Sequence, residues 1–110
     1  MSDQQYDFSP PGFFLRFMKR FPGIADKYEA LGHEVHDLGP LDGKTRALIK
    51  LAISGSSGME SAFRAHMRKA RKAGVSQEEM EHVVFLFLPT KGFPCTMKAL
   101  SQIEQEFEPK

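Results

Sequence analysis

The chain has a single cysteine, Cys95, no tryptophan, and no apolar run of membrane-spanning length. A lone thiol cannot close a disulfide within the chain, so an extracellular disulfide-stapled scaffold is excluded. A bilayer-crossing helix needs roughly 18–20 consecutive apolar residues. The longest candidate, VVFLFLP, is short and ends at Pro89. The opening MSDQQYDFSP is polar and acidic, unlike a secretory signal. These absences predict a cytoplasmic protein with no membrane partner. An excess of one charge is lacking too: 15 Lys and Arg against 14 Asp and Glu leave a net +1. No global field draws the chain to nucleic acid. Nor is there a Gly-rich phosphate loop, a Ser-His-Asp pattern or a Cys-x-x-Cys pair, and no cofactor is expected.

What is present fits one soluble all-α domain. With 110 residues, 41% hydrophobic and 26% charged, the composition is ordinary. A chain of this size hides roughly two-thirds of its unfolded surface, enough for one modest core. Residues 1–9 read as a flexible tail and 10–110 as the domain. The ten phenylalanines, many of them within FFLRFMKRF, exceed what so small a domain can bury, which points to a subunit interface.

Periodicity divides the chain into about six helices and no useful strand. The first runs from about Gly12 to Phe21, with Phe13, Phe14, Phe17, Met18 and Phe21 on a broad apolar face. Pro22 breaks it and opens a second, phased by Ile24, Tyr28, Leu31 and Val35 and closed by Gly39 and Pro40. The third takes Asp42 as N-cap and carries Leu48, Leu51 and Ala52, widened by Ile49 and Ile53. SGSSG then reads as a flexible link. After the central helix, VSQEEMEHVVFLFLPTKG opens with Ser76 and Glu79 at capping-box spacing. It is apolar nearly all round, either central or pressed between subunits, and Pro89 kinks or ends it. The last helix has Pro94 near its start and Met97, Leu100, Ile103 and Phe107 on one stripe.

The central helix, SGMESAFRAHMRKARKAG, carries the main candidate for chemistry. Ser57 and Glu60 stand three apart, as in a capping box, and Gly74 suits the left-handed C′ position. Met59, Ala62, Phe63, His66, Ala70 and Ala73 repeat at helical spacing, so His66 is the one ionisable group within an apolar stripe. Imidazole titrates near neutrality and can act as a general acid or base, or sit as a satisfied core residue. The basic band from Arg64 to Lys72 reads as a solvated face.

Other candidates carry less. Cys95, at the start of the last helix among Phe93, Pro94 and Met97, reads as a small buried residue more than a reactive thiol. His33 and His36 are three apart with Glu34 between them, but two imidazoles without a third ligand do not make a metal site. His82 reads as a surface residue.

GPLDGKTRALIKLAI, then MESAFRAHMRKARKAGVSQEEMEHVV, then PTKGFPCTMKAL resemble the carboxymuconolactone decarboxylase family, which includes the alkylhydroperoxidase D proteins. The resemblance spans about Tyr28 to Ile103. It implies an all-helical fold and obligate homo-oligomers, commonly trimers or hexamers. The peroxidase branch carries a Glu, a Cys-x-x-Cys pair and a His; laid onto this chain, these positions hold Ala47, Met59, Ala62 and His66. Disulfide cycling needs an attacking thiolate and a resolving thiol, and neither Met nor Ala supplies one. The lactone decarboxylase branch, which also lacks the cysteine pair, is thought to rely on the His with nearby polar groups. Two readings follow: a small enzyme using His66 as acid/base on a small lactone-like or carbonyl substrate, or a non-catalytic oligomeric scaffold or small-ligand binder. The peroxiredoxin-type activity attached to the family is the least supported.

Overall fold

The computed structural model describes residues 11–109, and every element among them is a helix. In order these are α1 (Pro11–Arg20), α2 (Pro22–His36), α3 (Gly43–Ser56), α4 (Glu60–Lys72), α5 (Gln77–Phe85), the single turn α6 (Leu88–Lys91) and α7 (Phe93–Phe107). The extra element relative to the six expected comes from Pro89. A ring at the second helical position cannot continue α5 but suits a new start, so the chain turns through Leu86 and Phe87 and begins again. The proposed tail, residues 1–9, lies outside the described residues.

Contacts group the chain into two units, one ending at Leu41 and one beginning at Asp42. In the first, α1 packs against α2. Phe17 is half-buried, with its ring 6.1 Å from that of Phe14 and 5.9 Å from that of Phe21. Met18 is half-buried too, while Phe13, Phe14 and Phe21 are open, and Arg16 and Arg20 lie over the Phe13 and Phe21 rings. On α2 only Ala25 is buried. The stripe that phased this helix, Ile24, Tyr28, Leu31 and Val35, is 58–63% exposed.

The second unit holds a core of Leu51, Phe63, Met67, Ala70, Val75, Met80, Val84, Phe87, Ala99 and Ile103. Burying each large side chain contributes about 1.5–3 kcal/mol, against a typical net stability of about 5–15 kcal/mol. Helices α3 and α4 form its most extensive packing, with α7 lying against both and α5 against α3 and α7.

Local chemistry sets these helices. The Asp42 carboxylate accepts from the Thr45 backbone N–H at 2.8 Å and starts α3 as expected. Ser76 and Glu79 form the reciprocal capping box at the start of α5. Gly74 ends α4 with φ +91°; its N–H donates to the Arg71 carbonyl and that of Val75 to the Ala70 carbonyl, a Schellman closure.

Two expectations at the α3–α4 turn are corrected. Ser57 does not cap α4: the cap is Met59, without a side-chain bond, and Ser57 instead ends α3. The SGSSG stretch is not a flexible link, because α3 runs on through Ser56 and the turn is confined to residues 57–59, with Gly58 at φ +70°. Ser54 and Gly55 are buried there. A Cβ on Gly55 would stand 2.8–3.1 Å from the Phe63 and Phe87 rings. The small residues that resemble a linker are therefore a close-packing site.

Candidate functional site

Helix α4 presents His66 from its half-buried flank. One turn back lies Phe63 and one turn on lies Ala70, both buried, and the next residue, Met67, is fully enclosed. The ring thus sits at the margin of the core, not within it. The stripe is rotated relative to the expected one: Met67 joins it, while Met59 and Ala73 are exposed. Their positions at the two ends of α4, one at the N-cap and one at the C-cap, explain why they leave the packed face. His66 does not line the cavities formed in this unit that are described below. Ala47, at the position of the family acid, is half-buried against the core and offers no ionisable group.

The basic band on α4 is more than a solvated face. Arg71 reaches α7, donating to the Glu106 carbonyl at 3.1 Å and pairing with its carboxylate at 3.3 Å, with its guanidinium 4.3 Å from the Phe107 ring centre. Arg64 pairs with Glu60 across one turn at 3.4 Å. Burial first, then the nearby charges of Lys69 and Arg46, holds the Lys50 amine below its ordinary range. At the far end of α3, Lys44 reaches the Glu79 carboxylate at 2.9 Å. The Glu79 carboxyl is held below its usual value, chiefly by the Ser76 backbone N–H and then by Lys44.

Where α3, the turn at Gly58, the start of α4 and α7 meet, the structure forms a half-open cavity of about 290 Å³. Met59 and Phe63 give it apolar wall, and one face of α7 contributes Cys95, Lys98 and Gln102 at helical spacing. The Cys95 thiol is half-buried and donates to the Ser56 carbonyl at 3.7 Å. The Lys98 ammonium stands 3.6 Å from the Glu60 carboxylate, so its charge is compensated. Gln102 is 7% exposed, and its buried amide nitrogen has no hydrogen-bond partner. Leaving such a donor unsatisfied costs about 1–3 kcal/mol. Sequence reasoning passed over Gln102 because a polar residue off the Met97–Leu100–Ile103 stripe reads as surface. Its spacing from the buried Thr96 and Ala99 is the signal that could have placed it inside. Met97, by contrast, is 37% exposed.

A second, wider groove of about 390 Å³ runs between α3 and the α5–α6 segment, walled by Leu48, Ala52, Val83, Leu86 and Phe87. Phe85 and Leu88, expected to fill the girth of a central helix, are exposed outside it, and Leu86, expected likewise, is an exposed part of its wall. On α3, Ile49 is an exposed part of the same wall, and Ile53 is exposed outside it.

His82 is exposed, and so is His33, whereas His36 is half-buried. Among the described residues no group of three or more His, Cys, Asp or Glu side chains is placed to hold a metal. None of the described helices is long and apolar enough to cross a membrane.

An all-helical chain with a charged-and-capped α3, the His66 helix and the Gly92-Phe93-Pro94 start of α7 agrees with the comparison to known families. The model of the carboxymuconolactone decarboxylase family matches residues 22–105, and the chain belongs to that family. An uncharacterized protein of Methanocaldococcus jannaschii is 33% identical over 98 residues, 84% of this chain and 94% of its own length. An uncharacterized protein of Haemophilus influenzae is 40% identical over 52 residues, 47% of this chain and 46% of its own. No solved structure matches the chain.

Proposed function

We propose that this is a cytoplasmic, homo-oligomeric member of the family that uses His66 as the acid/base in proton transfer on a small lactone-like or carbonyl substrate. The observation that carries this reading is the setting of His66. An imidazole at the edge of an apolar face, beside Phe63, Met67 and Ala70, is partly withdrawn from water yet reachable. Withdrawing a proton from carbon next to a carbonyl needs such a base, together with donors for the developing oxyanion. Disulfide-cycling peroxidase chemistry is not part of the proposal. The family's two thiol positions hold Met59 and Ala62, and Cys95 lies on a different helix.

The test compares wild type, His66→Ala and Cys95→Ser on a panel of lactones and hydroperoxides, with circular dichroism confirming the fold of each. Lactone turnover lost only in His66→Ala supports the proposal. Hydroperoxide turnover with a dithiol reductant, abolished by Cys95→Ser, overturns it. A non-catalytic scaffold is the second reading. It is favoured by the alanine at position 47 and by the open α2 stripe, and it predicts no turnover by any of the three proteins.

A further inference from the structure

We propose that the cavity between the α3–α4 turn and α7 is a binding site for a small uncharged molecule with an apolar body and a carbonyl oxygen, received by the Gln102 amide. The site is independent of the His66 reading, since His66 does not line it.

Three observations converge on this chemistry. First, Gln102 is 93% withdrawn from solvent by the complement of its 7% exposure, and its amide nitrogen has no partner. An unspent buried N–H is complemented by an acceptor oxygen. Second, the space is about 290 Å³, many times the ~30 Å³ share of one water molecule. It is therefore sized for an organic ligand, at the lower end of small-molecule pockets. Third, the remaining surroundings favour an uncharged body. Met59 and Phe63 provide apolar wall, and the Ser54 hydroxyl is spent on the Lys50 carbonyl at 2.8 Å. The one cation, Lys98, already faces Glu60. A carboxylate entering here would have to compete with Glu60 for Lys98 and bring its own charge against thioether and ring. A neutral carbonyl meets neither cost.

Cys95, one turn from Lys98 on the same face of α7, gives the site a reporter. The full chain is treated with iodoacetamide in the presence of increasing ε-caprolactam, a ring with one neutral carbonyl, or of hexanoate, its charged counterpart. Caprolactam should protect Cys95 and shift the Gln102 side-chain amide resonances in a nitrogen-15 correlation spectrum, while hexanoate should do neither. Gln102→Leu should weaken caprolactam protection by roughly tenfold or more, the effect of losing one hydrogen bond to a buried group. His66→Ala should protect like wild type, which keeps this test separate from the fate of the catalytic reading. Equal protection by hexanoate, unchanged protection in Gln102→Leu, or no protection by caprolactam overturns the proposal. If Gln102→Leu does not fold, the wild-type amide resonances decide: a pair unmoved by saturating caprolactam overturns it.

Discussion

Single residues decide most at the α3–α4 turn. Gly55 is buried, and any Cβ there would press on the Phe63 and Phe87 rings at 2.8–3.1 Å. Alanine favours helix over glycine by about 1 kcal/mol, whereas overpacking costs about 1–3 kcal/mol. The rings are themselves core and cannot swing aside, so the overpacking cost falls at its upper end and Gly55→Ala should lose up to about 2 kcal/mol net in urea denaturation. A neutral or stabilised variant would show that the packing has slack there. Residues at this scale were the hardest to read in the sequence. SGSSG has linker composition and gives no sign that Phe63 and Phe87 close over it. Gln102 looks like surface by type, and Met67 was passed over beside His66 because the two share one edge of the same stripe. Cys95 was placed more nearly, at the first turn of α7 and half-buried.

Elements were legible where their ends carry explicit chemistry. Asp42, Ser76 with Glu79, and Gly74 all cap as their spacing implies. Ser57 with Glu60 has the same spacing but fails, because α3 continues into that serine and leaves Met59 to cap α4. Gly74, at φ +91°, should resist substitution: Gly74→Ala costs about 1–2 kcal/mol from the left-handed backbone alone, readable as a lower denaturation midpoint. An unchanged midpoint would mean the Schellman closure is not maintained in solution. The start of α5 also predicts a pH dependence. The Glu79 carboxyl is held below its ordinary value of 4.5, chiefly by the Ser76 N–H and then by Lys44. Its folded pKa is therefore below its unfolded one. The stability it adds is present above the ordinary value and is lost as pH falls through the folded value. Wild type should exceed Glu79→Gln in urea midpoint at neutral pH, with the gap closing in acid. A gap that stays constant to low pH would remove the ionised capping box from the account.

At the scale of the whole molecule, too much apolar surface is left uncovered. Ile24, Tyr28, Leu31 and Val35 on α2, and Phe85, Leu86 and Leu88 around the end of α5, stay open in the single chain. Periodicity identified these side chains as ones to be buried, but a sequence does not say whether the covering surface is its own. The proposed homo-oligomer would cover these faces, and it predicts sedimentation at micromolar concentration as a multiple of 12.4 kDa, three or six copies by the family resemblance. A monomer would leave that surface unexplained and remove the oligomer. The helical class and the family were legible because periodicity and motif order extend over most of the chain. The cavity was not, since its walls come from α3, α4 and α7 and no short motif unites them. The central claim rests on one imidazole, and the direct measurement is lactone turnover by wild type and by His66→Gln, with matched circular dichroism spectra. The account predicts a loss of about 10²–10⁴-fold in the variant, the usual contribution of a general acid or base. Equal turnover in the two folded proteins would contradict it.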